Sequence, residues 1–277
     1  MLRPQYAQME TWHMRKTAYL LGNAHDEAGR RFAAMSRLFD PASMRTISAC
    51  GLSTGWSCWE VGAGGLALSA WMAQQAGTTG RVLATDLDTR WMRSEVVPGL
   101  EVQRHDVIAD PAPIGPFDLI HARLLLVHLP ERESVLRKLI EALRPGGWLV
   151  IEDADSALQP LACLDPQEPC EHRANHIRGA FRALMADQGV DLAFGRTLPH
   201  RFRAMGLEGV RASCSFPIGG PDCDLLEAAT VRMLAERMVG CGAVREDDID
   251  QHLAAIAAGR LVLAPAPMIS ALGRKPM

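Results

Sequence analysis

A strand-like pentapeptide, Ser57-Cys58-Trp59-Glu60-Val61, runs straight into Gly62-Ala63-Gly64-Gly65 and then into a helical pattern over residues 66–76. This order of strand, glycine turn and helix restricts the fold more than any other feature of the 277 residues. Glycines at a strand end let the backbone turn tightly and approach a ligand, and the next helix then directs its N-terminus at that ligand. Further strand-like runs cover 81–86, 100–105, 117–122 and 148–153. The last, Trp148-Leu149-Val150-Ile151-Glu152-Asp153, opens with the continuous apolar run that a strand covered on both faces requires. A helical pattern over 132–143 stops at Arg144-Pro145-Gly146-Gly147, where proline and glycine cannot continue it. Strands alternating with helices in this way predict right-handed crossovers and an α/β, doubly wound, mostly parallel sheet.

The two ends are less regular. A helix is expected over 10–38, broken at Asp40-Pro41, with a second short helix running towards Gly51. Beyond strand five, helices are expected over 171–188 and 198–205, a sixth strand over 210–218, a helical pair over 224–239 and 247–258, and a last strand over 261–272. The expected organisation is an N-terminal helical lid, 1–50, on a ligand-binding domain, 51–277, with helical cap insertions around 155–195 and 222–260.

Composition narrows the function classes. With 48% apolar and 22% charged residues and a net charge of −3, the chain reads as a soluble globular protein. The slightly acidic balance argues against a nucleic-acid partner, which needs a basic surface. No stretch approaches the roughly 20 apolar residues of a membrane helix, and Met1-Leu2-Arg3-Pro4-Gln5 is followed by no apolar signal region. The seven cysteines contain no C-x-x-C pair and fit reduced thiols in a cytoplasm rather than disulfides or a zinc site. His172 and His176 share a helical spacing, yet no third ligand accompanies them, so a solvated face and no metal are expected.

The glycine turn alone leaves two nucleotide chemistries open. Gly62, Gly64 and Ala67 satisfy a dinucleotide-binding spacing, and Asp86, ending strand two, suits ribose hydroxyls in either case. Glu60 separates them. A carboxylate beside a diphosphate is unfavourable, whereas it suits a sulfonium amino acid carrying an ammonium group. Downstream come Arg104-His105-Asp106-Val107, Phe117-Asp118-Leu119-Ile120 and Leu143-Arg144-Pro145-Gly146-Gly147.

In this order the motifs resemble the class I S-adenosylmethionine-dependent methyltransferases, of the UbiE-like and natural-product small-molecule type, over about residues 55–153. The resemblance implies a Rossmann-like, seven-stranded sheet with an antiparallel last strand and a helical cap. It further implies methyl transfer from S-adenosylmethionine to a small-molecule acceptor of secondary metabolism, giving S-adenosylhomocysteine, and leaves room for a homodimer. Carried over residue by residue, Glu60, Gly62, Ala63 and Gly64 would cradle the methionine and ribose. Asp86 would take the ribose hydroxyls and Leu87 would lie against the adenine. Asp106 and the Val107 backbone would read the adenine edge, and the carbonyls at His121 and Ala122 would meet the ammonium. Tyr19, on the lid, would contact the donor, with Trp12 and His13 in the same segment. Leu66 stands where many relatives carry a third alternate glycine.

Methyl transfer is an in-line displacement, so the protein mainly aligns the reactants and excludes water; a base is needed only when the nucleophile must lose a proton. The catalytic candidates are His128, expected to open the helix after strand four, Asp153 with Glu152 beyond strand five, and Arg123, suited to an anionic acceptor or the donor's carboxylate. Pro169-Cys170 resembles the cytosine-C5 methyltransferase dipeptide but follows strand five rather than strand four, and is set aside. The competing readings are an NAD(P)-dependent oxidoreductase and a non-catalytic or repurposed donor-binding homologue.

Overall fold

The computed structural model describes residues 20–92 and 97–277; Trp12, His13 and Tyr19 lie outside the described residues. Seven strands form one sheet: β1 (Ser57–Val61), β2 (Arg81–Asp86), β3 (Leu100–Arg104), β4 (Phe117–Arg123), β5 (Leu143–Ala154), β6 (Glu208–Ser215) and β7 (Met268–Arg274). Their order is β3-β2-β1-β4-β5-β7-β6. The pairs among β1–β5 are parallel, while β7 runs antiparallel to both β5 and β6. The expected doubly wound sheet with a reversed last strand is therefore present. The described helices are α1 (Ala28–Ala49), α2 (Ala67–Ala76), α3 (Arg132–Ala142), α4 (Pro169–Asp187), α5 (Phe194–Ala204), α6 (Pro221–Gly240) and α7 (Glu246–Ala257).

Two apolar layers cover the sheet. Trp59, Ile120, Leu149 and Ile151 pack with Leu136, Leu139, Phe194 and Phe202 in one cluster. Cys58, Val82, Leu119 and Val150 pack with Ile47, Leu68 and Met72 in another. Residues one apart along β1, β4 and β5 alternate between these clusters, as side chains on a strand covered on both faces must. A third cluster, including Leu20, Ile177, Val231, Met238 and Ile249, joins α4, α6 and α7 as the cap. Among the described residues, no helix is long and apolar enough to cross a membrane.

Three expectations are corrected. Helix α1 runs unbroken through Asp40-Pro41. Proline removes one helical N–H and crowds the preceding turn, but Phe39, Ser43 and Ile47 are buried on either side of it and hold the helix to the sheet. Strand β5 begins at Leu143 rather than 148, because Leu143 pairs with Phe117 and an irregularity before Leu119 absorbs the Pro-Gly-Gly stretch. Strand β7 begins at Met268 rather than 261. Pro265 and Pro267 lack ladder donors, and residues 261–267 form an irregular segment tied by the Ala264 N–H to the Ala162 carbonyl at 2.8 Å. In the second half of α1, Ile47 is fully buried against the sheet's core.

Ile47→Ala should accordingly destabilise the protein by about 2–5 kcal/mol, the usual cost of a cavity in a packed core. Denaturant unfolding measures this, and a loss well below 1 kcal/mol would identify α1 as a detachable lid.

Candidate functional site

A cleft of about 1670 Å³ opens at the carboxyl ends of β1, β2 and β4, where an open α/β sheet receives ligands. The glycine turn forms its floor. Gly62 and Gly64 have φ of +66° and +64°, a region that side chains disfavour. A Cβ on Gly64 would come within 2.7 Å of the Phe32 ring of α1, and one on Gly62 within 3.0 Å of Leu125. The Ala63 N–H reaches back to the Thr85 carbonyl at 3.0 Å.

Asp86 anchors the turn to the end of β2. Its Oδ2 accepts the Gly64 N–H at 3.0 Å, and its Oδ1 accepts the Asp88 N–H at 2.9 Å and the Asn23 amide at 3.3 Å. Burial pushes the Asp86 carboxyl up, while the Asp88 and Gly64 amides pull it back. Leu87 beside it is 51% exposed. At the far wall, Asp106 Oδ1 accepts the N–H groups of Ile108 and Ala109 at 2.9 and 3.2 Å. Lys138 donates to the Val107 carbonyl at 2.7 Å, so that carbonyl is engaged by the protein.

Beneath the cleft lies a charged triplet. Glu60 on β1 pairs in register with His121 on β4, and Glu152 on β5 pairs with Arg123, two residues further along β4. His121 is fully buried between the two carboxylates, with Nδ1 3.5 Å from Glu60 and Nε2 3.2 Å from Glu152. Ser69 of α2 donates to Glu60, and Ser43 of α1 donates to Glu152. Ser270 of β7 donates to the other Glu152 oxygen at 2.6 Å. Burial alone would push the His121 imidazole down, but bonds to Glu152 and Glu60 and their charges outweigh it and raise it to about 9. Burial likewise opposes ionisation of Glu152, yet the bond and charge of His121 and the charge of Arg123 hold it below the usual carboxylate range.

The expected site residues divide accordingly. Glu60, Gly62, Ala63, Gly64, Asp86, Leu87, Asp106, Val107, Arg123 and His128 all line the cleft. His121 and Ala122 are fully buried, and the end of β4 presents Arg123 and Leu124 to the cleft, with Leu125 next to them. Arg123 donates to Asp40 at 2.7 Å and to Ser43 at 2.9 Å, tying β4 to α1. His128 does not open the following helix; it closes a short 3-10 turn, Leu126–His128, ahead of it. Burial, and then the positive charges of Arg31 and Arg132, push its imidazole down to about 3.

Asp153, expected to be catalytic, lines no part of the cleft. It is fully buried beneath the 125–128 turn, its oxygens facing the amides of Val127, Leu125 and Leu126 without full hydrogen bonds. Burial raises it well above the ordinary carboxylate range. Asp153 is therefore a support for the turn that carries His128, and Glu152 is a partner of His121. Among the described residues, no group of three or more His, Cys, Asp or Glu is arranged to hold a metal ion.

The cleft leads into a smaller inner pocket of about 120 Å³, with Arg31, Met35, Leu124, His128 and Val190 on the walls of both. Arg31, Arg178 and Arg182 also line it, and sequence reasoning missed them along with Phe32 and the His121 side chain, whereas Asn23, expected on the lid segment, lines the cleft. One signal for His121 was available: an ionisable residue near the end of an otherwise apolar central strand, with neighbouring strands ending in glutamates.

Comparison with known proteins adds a second line of support. The profile of a family described as "Methyltransferase domain" matches residues 26–212. A methyltransferase of Strobilurus tenacellus, str2, is 32% identical over 194 residues, covering 68% of this chain and 67% of that protein. The methyltransferase GfsG of Streptomyces halstedii is 30% identical over 160 residues, covering 51% and 55%. A second Strobilurus methyltransferase, str3, is matched over 48% of its length, so the matched stretches span about half to two thirds of these relatives. Among solved structures, a putative methyltransferase from Bacillus halodurans superposes with a TM-score of 0.53 at 16% identity, over 84% of this chain and 98% of that one. Phosphoethanolamine N-methyltransferase 2 of Haemonchus contortus, solved with phosphomonomethylethanolamine and S-adenosylhomocysteine, also scores 0.53, at 12% identity over 89% of this chain and 57% of that one. These two share the fold.

The triplet fixes a pH dependence. His121 titrates higher in the folded chain than its unfolded value of 6.5, so its stabilisation is complete below that pH and is lost as pH rises through about 9. Glu152 titrates lower than its ordinary 4.5, so its contribution is present above that value and is lost as pH falls through the folded one. In the stability difference between wild type and Glu152→Gln, measured by thermal unfolding, the separate contributions of His128 and Asp153 cancel. In that difference the triplet should show a plateau near pH 4.5–6.5 and a decline from about pH 7 to 9.5, bounded at about 1.4 kcal/mol per pH unit for one proton. Glu152→Gln should flatten the alkaline decline; an unchanged slope would show that His121 is not held charged.

Proposed function

The chain belongs to the methyltransferase-domain family, and from that premise we propose that it transfers a methyl group from S-adenosylmethionine to a small-molecule acceptor in secondary metabolism. The observation that carries this reading is the Gly64–Asp86 bond at 3.0 Å: a left-handed glycine turn held to the carboxylate that ends β2. The residues present fit the donor. A carboxylate offers about four acceptor sites, and Asp86 uses three, the weakest being the 3.3 Å contact from Asn23. Ribose hydroxyls would take the remaining site and displace Asn23.

Leu87 offers exposed apolar surface for a purine ring, and Asp106 with the Val107 N–H would read its edge. A side chain in place of Gly64 would meet Phe32, so the turn is kept bare where a ligand must approach. Because Arg123 and Leu124 line the cleft in place of His121 and Ala122, we place the ammonium contact one or two residues further along the chain than the family pattern suggests. Asp86 and Asp106 on this wall would meet the hydroxyls and amino group of a nucleoside, whereas a dinucleotide diphosphate would bring further negative charge beside them.

When bound, S-adenosylmethionine supplies an electrophilic methyl group on a positively charged sulfur. The protein's part is alignment and the exclusion of water. Arg123 fixes α1 over the strand ends through Asp40 and Ser43, and Phe32 on that helix closes onto the glycine turn. His128 faces the cleft as a neutral imidazole. Burial and the charges of Arg31 and Arg132 lower its basicity, and from the cleft wall it is placed to orient the acceptor by hydrogen bonding.

Asp86→Ala should weaken S-adenosylhomocysteine binding about 10- to 150-fold, the worth of about 1.5–3 kcal/mol for hydrogen bonds to a charged group. Calorimetric titration checks this against an unchanged circular dichroism spectrum, and wild-type affinity would overturn the ribose assignment. A thermal-shift comparison should show stabilisation by S-adenosylhomocysteine and none by NADPH; the reverse would restore the oxidoreductase reading. His128→Ala should lower turnover more than donor affinity, whereas unaltered turnover would reduce His128 to a packing residue.

A further inference from the structure

Resting on the methyltransferase reading, and on His128 standing on the walls of both spaces, we infer that the acceptor occupies the inner pocket and is an amphipathic monoanion whose apolar body fills it and whose carboxylate or ionised hydroxyl is bound by Arg182. The pocket is lined largely by apolar side chains, among them Met35, Phe39, Phe181, Met185 and Leu226. An apolar body fits such walls, and a few placed polar groups then fix its orientation.

Three guanidinium groups line the same walls, from Arg31, Arg178 and Arg182. Arg178 is matched within the protein. It donates to Glu227 at 2.6 Å and to the Ala264 carbonyl at 3.1 Å. Burial opposes ionisation of Glu227, but the Arg178 charge and the His252 contact bring it to about 2, so the pair is internally neutral. Arg182 lies one helical turn beyond Arg178 on α4. No hydrogen bond or ion pair within the described residues engages it, and its Nε is buried without a hydrogen-bond partner.

A buried donor left unmatched costs about 1–3 kcal/mol, more when charged. A ligand oxyanion would remove that cost, and the planar guanidinium fork suits a carboxylate in particular. Arg31, only 6% exposed, adds positive charge to the pocket and opposes a cationic acceptor. A neutral acceptor would leave Arg182 unmatched.

The test uses the full chain saturated with S-adenosylhomocysteine. It is titrated with matched pairs: 4-phenylbutyrate, cinnamate and octanoate against their amides, and 4-nitrophenolate against 4-nitroanisole. At least one anion should bind about tenfold or more tightly than its neutral partner, the worth of a charge-assisted hydrogen bond. The pair that shows the preference tells carboxylate from ionised hydroxyl. Arg182→Gln should abolish the preference while leaving S-adenosylhomocysteine affinity unchanged, and Arg182→Lys should retain part of it. Equal binding of neutral partners, no binding by any anion, or a preference that survives Arg182→Gln would overturn the inference. If S-adenosylhomocysteine itself fails to bind the wild type, the donor reading falls; if it binds and the anions do not, only the acceptor class falls.

Discussion

Burying Glu60, His121 and Glu152 together is the constraint around which the rest of the molecule is arranged. Charges removed from water are tolerated only when each is matched in good geometry. Matching them requires β1, β4 and β5 to hold one register, so that two carboxylates bracket one imidazole. It also requires Ser69, Ser43 and Ser270, which come from α2, α1 and β7. A slip of one residue in any of the three strands would turn an ionic side chain to the opposite face. The network therefore specifies register and fixes the floor on which the glycine turn rests.

Much of the fold was legible because local and global preferences agree in the first half. β1 and β2 have the bounds read from the sequence, since a short apolar run ended by glycine or aspartate leaves little freedom. The errors arise where tertiary contacts override a local rule. Pro41 signals a break, but burial of Phe39, Ser43 and Ile47 keeps the helix whole. Pro199 falls inside α5, which begins at Phe194, four residues before the expected start. The irregular 261–267 segment reads as strand by its apolar residues alone, although Pro265 and Pro267 deny it a ladder.

The site was legible for the same reason and to the same limit. Residues that act through backbone position, such as Gly62, Gly64 and Asp86, are declared by their place after a strand. Residues that act through distant partners are not. Asp153 follows β5's apolar run just as a catalytic carboxylate might, yet it points beneath the 125–128 turn. Arg182 has no local signature, because its meaning comes from the pocket that α4, α6 and residues 261–267 enclose together. Both spaces carry charged groups of each sign, and Arg182 in the inner pocket is met by no carboxylate among the described residues.

Helix α1 stands between these two chambers. Phe32 meets the glycine turn, Met35 and Arg31 reach both spaces, and Asp40 and Ser43 clamp the same helix to Arg123. A partition shared by two rooms cannot be moved for one occupant alone. Any displacement of α1 favoured by the first guest alters the second guest's affinity, and thermodynamics makes that influence mutual.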